Sequence, residues 1–397
     1  MVIANVSEGC FAMKVTNVGT HLWDPGQGKN FLFVKIETDD GIVGWGEAYT
    51  QADRDTQVEA HVKQIARYLE GRDPFHIRHF MHIVHEDFAT KRGGMDLHCA
   101  MSGIEIALWD IVGKAMGRPV YDLLGGPVRP RLKLYANGWS GGDTPQEYGE
   151  RAASLVAERG FKALKFDPFP GPWTEYPPRD VLEEAVKVVT AVREAVGPEV
   201  ELLIEVHRRL APMNAIRVAR ELEPLRPYWF EEPCPPDNIP AIKEVKEATT
   251  IPVVTGEALY TRNEFREVCE TRAADIINPD ICNTGGIWEL TQIAAMAAPF
   301  YIGVSPHGWN STSVGCAAAI QASAGMPNFL IYEYMVGVEA ASREVTIGYL
   351  EPEDGYIEIP TEPGLGIDVD EEALKARPPV TRTRGSVRTL EDERDWH

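Results

Sequence analysis

Three stretches of the chain decide its fold: Glu201-Leu-Leu-Ile-Glu-Val-His207, Tyr228-Trp-Phe-Glu-Glu-Pro233 and Pro252-Val-Val-Thr-Gly-Glu257. Each is a short apolar run that closes on a glutamate, and runs of this length without internal alternation suit strands buried on both faces. The glutamates recur at a fixed interval, 231 − 205 = 26 and 257 − 231 = 26 residues. That interval holds one strand, one helix and their loops, so the stretches read as consecutive β/α units. Working outward, similar runs stand at 132–135, 163–166, 275–278, 301–304 and 329–332. Helical patterns such as 180–196, 211–223, 238–248, 262–270 and 286–298 lie between the runs. Eight strands alternating with helices predict an α/β protein built on a (β/α)8-type barrel. An open doubly wound sheet fits less well, because no Gly-rich dinucleotide loop opens a helix.

Ahead of the barrel the texture differs. Residues 31–49 read as two alternating strands around Asp39-Asp40-Gly41, where glycine supplies the positive φ of a tight turn. From 55 to 124 the pattern is helical, with a Gly117-Arg118-Pro119 stop, so this part is an α+β domain. Residues 350–376 return to strand and turn texture and are expected to fold back on it. The expected division is 1–127 for the capping part, 128–345 for the barrel and 346–397 for a C-terminal segment on the cap.

With 397 residues, 44% of them apolar, the chain has material for a large core. Its charge, 39 − 60 = −21, opposes a phosphate-rich partner, and no basic stripe offsets it, so nucleic acid is excluded. No apolar run approaches the ~18 residues that span a bilayer, and residues 1–12 lack the layout of a secretory signal. The expectation is a cytoplasmic protein with no membrane partner. Cys10, Cys99, Cys234, Cys269, Cys282 and Cys316 form no C-x-x-C and read as reduced thiols.

In a barrel, chemistry gathers at the C-terminal ends of the strands, and here those ends carry acids. Glu205, Glu231 and Glu257 end strands three to five, and strands ~4.8 Å apart would bring them into one patch of like charge that needs a counter-ion. An all-oxygen triad selects a hard divalent cation, Mg2+ first and Mn2+ second. His207 lies two residues past Glu205 and shares its face by alternation. His307 follows strand seven and Asp280 strand six, which pairs an imidazole with an orienting carboxylate, the equipment of a general base. Lys165 ends strand two and Glu333 strand eight, completing the ring as charge-balancing or orienting groups.

These residues resemble the enolase superfamily, in its mandelate racemase branch, and within it the sugar-acid dehydratases of the galactonate and gluconate type. The resemblance runs from 34–48 through Ala107-Leu-Trp-Asp110, Leu123-Leu-Gly-Gly126, Trp229-Phe-Glu-Glu-Pro233 and Thr255-Gly-Glu257 to Pro363-Gly-Leu-Gly366. It implies a (β/α)7β TIM-like barrel under an α+β capping domain, with Glu205, Glu231 and Glu257 as metal ligands and Glu232 supporting. The branch's His–Asp pair matches His307 and Asp280, and the second histidine of galactonate-type members matches His207. Two departures stand out: Glu205 replaces the commoner Asp, and Arg208-Arg209 stands where Gly-Arg is often seen. The second base of the racemases would stand at 167, where this chain has Asp167.

The resemblance implies a hydro-lyase acting on an acid sugar such as gluconate, galactonate or arabinonate. His307 would take the C2 proton and His207 would protonate the departing 3-hydroxyl, while Lys165 and Glu333 ease the charge on the intermediate. A racemase or epimerase, with the same first step, and a silent sugar-acid sensor are the rival readings. Loops 20–30 and 49–54 are expected to close over the substrate, and a homo-oligomer, by resemblance an octamer, is expected.

Overall fold

The computed structural model describes residues 13–382, apart from 27, 91, 172–173 and 310, together with 389–391. Cys10 and most of the charged tail lie outside these residues. The alternating run at the N-terminal end folds as an antiparallel sheet of β1 (Val15–Trp23), β2 (Phe31–Thr38) and β3 (Val43–Ala48). Gly41 takes φ +79° in the tight turn between β2 and β3, and its N–H donates to Thr38 O at 3.1 Å.

Helices α1 (Asp55–Leu69), α2 (Ile77–Asp87) and α3 (Met95–Met116) follow. Helix α3 is buried on almost every side and ends at Gly117, which takes the left-handed conformation of a helix stop at φ +63°. It lies directly on β3. A Cβ on Gly44 would stand 2.2 Å from Ala107 O and one on Gly46 1.9 Å from Gly103 O, so strand and helix meet backbone to backbone.

After the short α4 (Val120–Leu123), strand and helix alternate in the order the glutamate spacing implies. The order is β4 (Arg131–Asn137), α5 (Pro145–Arg159), β5 (Ala163–Phe166), α6 (Arg179–Val196), β6 (Glu201–Glu205), α7 (Pro212–Leu222), β7 (Trp229–Glu231) and α8 (Ile239–Ala248). Then come β8 (Val253–Thr255), α9 (Thr261–Thr271), β9 (Ile276–Ile277), α10 (Ile287–Ala297), β10 (Gly303–Val304), α11 (Ser313–Ala324) and β11 (Tyr332–Met335). Each strand pairs in parallel with the next from β4 to β10, and β11 pairs in parallel with β4. Closure comes from the bridge Val304↔Phe329 and the bond from Leu330 N to Val304 O at 2.9 Å. The result is a (β/α)7β barrel under an α+β cap.

The eighth strand differs from its expected span of 329–332. Residues 329–330 serve β10, whereas 332–335 serve β4, because the stagger of a closed barrel makes one strand meet its two neighbours at different heights. The same stagger leaves the first residues of β4 open, and Tyr356–Glu358 pairs there antiparallel. The C-terminal segment therefore contacts the barrel as well as the cap. On the cap side, Leu365 N donates to Asp110 Oδ1 at 2.9 Å and Lys35 Nζ to Glu371 at 2.7 Å.

Inside the barrel, Tyr135, Ala163, Leu203, Trp229, Val254, Ile276 and Ile331 pack into an apolar plug. Strand alternation puts residues two positions further on the same face, and for five of these strands those residues are polar: Asn137, Lys165, Glu205, Glu231 and Asn278, with Glu333 from the eighth. A polar layer thus rests on the plug at the C-terminal end. No helix among the described residues is long and apolar enough to cross a membrane.

Candidate active site

Glu205 and Glu231 are register partners on β6 and β7, which brings their side chains together. Glu257 is one residue out of phase with Val254, and Gly256, at φ +139°, supplies the turn that returns its side chain to the mouth. One carboxylate oxygen from each of the three lies within 4.8 Å of the others, and all three residues are buried. Glu205 Oε2 and Glu257 Oε2 are buried without a hydrogen bond. Three carboxylates converging in a buried site, with oxygen as the sole donor type, fit a hard divalent cation.

The remaining oxygens are tightly held. Glu231 accepts from Lys165 Nζ (2.7 Å), Asn278 Nδ2 (2.8 Å) and Trp229 Nε1 (2.8 Å). Lys165 Nζ also stands 2.9 Å from Glu333 Oε1 and 3.4 Å from Glu205 Oε2. Glu232, next to the ligand position, accepts from Thr255 Oγ1 (2.9 Å) and Gly256 N (2.7 Å), which supports the turn leading to Glu257. Burial and the neighbouring Glu205 hold the Glu231 carboxyl well above its ordinary range, the mark of like charges crowded together. Burial would also raise Glu205, but His207 and Lys165 outweigh it and hold that carboxyl low. Glu333 is brought down to about 2, because Lys165 and His307 overcome its burial.

Two histidines flank this cluster, each oriented at Nδ1 by a carboxylate. His307 Nδ1 donates to Asp280 Oδ2 at 2.7 Å, and the two residues form a parallel bridge between the loops after β9 and β10. Asp280 is in turn fixed by Cys282 N at 2.7 Å. His307 Nε2 lies 3.0 Å from Glu257 Oε2 and 3.6 Å from Glu333 Oε2. Burial would lower the pKa of His307, but Glu333 and Asp280 more than offset this and hold it above 6.5. His207 takes φ +55°, donates its backbone N–H to Glu205 Oε1 at 2.7 Å, and its Nδ1 donates to Asp167 Oδ2 at 2.7 Å.

A cavity of about 510 Å3 opens beside this cluster, with Lys29, Asn137, Asp167, Glu205, His207 and Trp309 in its wall. Gly28, Gln51 and Ala52 also line it, so parts of both expected closing loops face it. All eight residues singled out from the sequence gather at this one mouth. Sequence reasoning missed Asn278, Trp229, Asp167 as the partner of His207, and Arg208 as the ion-pair partner of Glu257. For Asn278 and Asp167 a signal existed, since each falls on the inward face by strand alternation.

Residues 20–125 match the family described as mandelate racemase / muconate lactonizing enzyme, N-terminal domain, and 147–373 match the enolase C-terminal domain-like family. A D-galactonate dehydratase of Xanthomonas euvesicatoria pv. vesicatoria is 34% identical over 394 residues, covering 97% of this chain and 96% of its own. A D-gluconate dehydratase of Thermoproteus tenax is 37% identical over 349 residues, covering 87% of this chain and 69% of its own. Among solved structures, a mandelate racemase/muconate lactonizing enzyme-like protein from Roseovarius superposes with a TM-score of 0.87 at 36% identity, covering 93% of this chain and 96% of that one.

Proposed function

This chain belongs to the mandelate racemase / muconate lactonizing enzyme family of the enolase superfamily, and from that premise we propose that it is a hydro-lyase that converts an aldonic acid to its 2-keto-3-deoxy acid. The relatives named for D-galactonate and D-gluconate support that substrate class, to which arabinonate also belongs. The observation that carries the reading is the pair of carboxylate-oriented histidines beside the acidic triad.

Glu205, Glu231 and Glu257 would hold the divalent cation, Mg2+ by preference. When bound, it supplies positive charge against the negative charge that develops on the substrate's carboxylate. His307 Nε2 takes the C2 proton, and Asp280 keeps its Nδ1 protonated and stabilises the imidazolium that forms. The C–H electron pair moves onto the carboxylate as an enediolate forms, and then returns to make the C2–C3 double bond as the C3–O bond breaks. His207, held at Nδ1 by Asp167, gives its Nε2 proton to the departing hydroxyl as water leaves. The enol then tautomerises to the keto acid. Lys165 sets positive charge among Glu205, Glu231 and Glu333, and Glu333 steadies the loop of His307 by accepting from Gly308 N at 2.7 Å.

Asp167, where the second base of a racemase would stand, is engaged by both His207 and Arg209, and the relatives named as dehydratases favour elimination over epimerisation with His207 and His307 as the two bases. Residues 128–345 form the catalytic unit in this reading, and the enzyme works in the cytoplasm as a homo-oligomer. A panel of acid sugars assayed with Mg2+ and semicarbazide tests it. A 2-keto product that disappears with EDTA is expected; a C2 epimer without keto acid, or turnover indifferent to EDTA, overturns it.

A further inference from the structure

Resting on the reading of Glu205, Glu231 and Glu257 as cation ligands, we propose that Arg208 is a tethered counter-ion of that site, neutralising Glu257 in the cation-free protein and yielding it when a divalent cation binds. Arg208 follows His207 in a second left-handed conformation, φ +64° after +55°. Two successive non-glycine residues in this region are disfavoured and persist when surrounding contacts fix them. Those contacts are visible: His207 N donates to Glu205 Oε1 at 2.7 Å, and Arg208 N to Glu232 O at 2.8 Å. The turn carries the Arg208 side chain back over the triad, where its guanidinium pairs with Glu257 Oε1.

The neighbouring arginine behaves differently. Arg209 donates to Val206 O (2.7 Å) and Phe169 O (3.2 Å) and pairs with Asp167, so it is built into the loop. The Arg208 guanidinium reaches Glu257 through Nη1, and its side chain is 28% exposed while that of Glu257 is 7% exposed. Arg208 is anchored at its backbone N–H, and its head is held through the ion pair with Glu257.

Charge accounts for the consequence. Lys165, buried against Glu205 and Glu231, cannot leave, and Arg208 covers Glu257, so every ligand carboxylate already has an organic cation. The three ligand carboxylates and Glu333 with Lys165 alone carry −4 + 1 = −3; with Arg208 in place they carry −4 + 2 = −2, one negative charge fewer to attract a dication. A dication entering beside the guanidinium meets like-charge repulsion on a shared carboxylate. Arg208 thus keeps the cation-free site from carrying uncompensated buried charge, at the expense of weaker cation affinity.

Mn2+ binding, followed by calorimetry and by electron paramagnetic resonance, and the Tm of the cation-free and Mn2+-saturated protein test this in wild type, Arg208→Ala, Arg208→Gly and Arg208→Lys. Removing the guanidinium in the Ala and Gly variants should lower the Mn2+ Kd about tenfold. It should also lower the Tm of the cation-free protein while widening the rise in Tm on saturation. The Gly variant, which relieves the backbone, should be the more stable of the two, and the Lys variant should stay near wild type in affinity. Kd unchanged or weakened in both Ala and Gly overturns the proposal. Should Ala not fold, Gly and Lys carry the comparison. A wild type that binds no Mn2+, or a Glu231→Gln variant that binds it as well as wild type, overturns the ligand reading instead.

Discussion

His307 and His207 are alike in being clamped at Nδ1 and unlike in surroundings: His307 is 2% exposed behind the triad, whereas His207 opens on the cavity. That difference separates their roles by measurement. In D2O, Asn in place of His307 should abolish both dehydration and exchange of the substrate's C2 proton, each by ~10²–10⁴-fold. Asn in place of His207 should reduce dehydration as strongly yet leave C2 exchange measurable; exchange surviving in the His307 variant would remove it as the base. At this scale the sequence was most legible where a residue's role follows from its place at a strand end, as for Glu205, Glu231 and the Asp280–His307 pair. It was least legible where the role depends on which side chain from another strand meets it. Asp167 stood in plain view two residues past Lys165, but its partnership with His207 is set by the left-handed turn at 207–208.

Glu105, deep in α3, ties the cap to the barrel by capping α10: its carboxylate accepts from Ile287 N (2.7 Å), Trp288 N (2.9 Å) and its own helix's Trp109 Nε1 (2.8 Å). Burial pushes its pKa from 4.5 to about 7, against the pull of those donors. Below pH 4.5 the folded and unfolded chains both carry the proton and Glu105 adds no pH dependence. Between 4.5 and about 7 the unfolded chain releases it first, so stability falls as pH rises through that window, by ~3 kcal/mol in all. Comparing urea unfolding at pH 5 and 7.5, the Glu105→Gln variant should lose that part of the slope; a slope equal to wild type would show that Glu105 is ionised throughout. Element positions were readable because barrel helices are amphipathic and their strands apolar: 286–298 became Ile287–Ala297 and 180–196 became Arg179–Val196. The eighth strand was not, since its two halves answer to different neighbours and no local pattern records the stagger.

For the whole molecule, a net charge of −21 sets the long-range field against an anionic substrate. Screening should help: raising ionic strength from ~0.01 to ~0.15 M shortens the Debye length from ~30 to ~8 Å and should increase kcat/KM for an acid sugar. A decrease would mean that attraction to the cation site governs capture over the long-range field. The barrel could be recognised as a whole because one interval repeated, whereas the double engagement of the C-terminal segment depends on a vacancy along β4 that closure creates. The glycine contacts between β3 and α3 bear on how substrate enters. With Ala107 O and Gly103 O where Cβ atoms of residues 44 and 46 would be, sheet and helix leave no sliding surface and move as one plate. The 510 Å3 chamber is then entered past a rim that includes Gly28, Lys29, Gln51 and Ala52, residues that flank this plate.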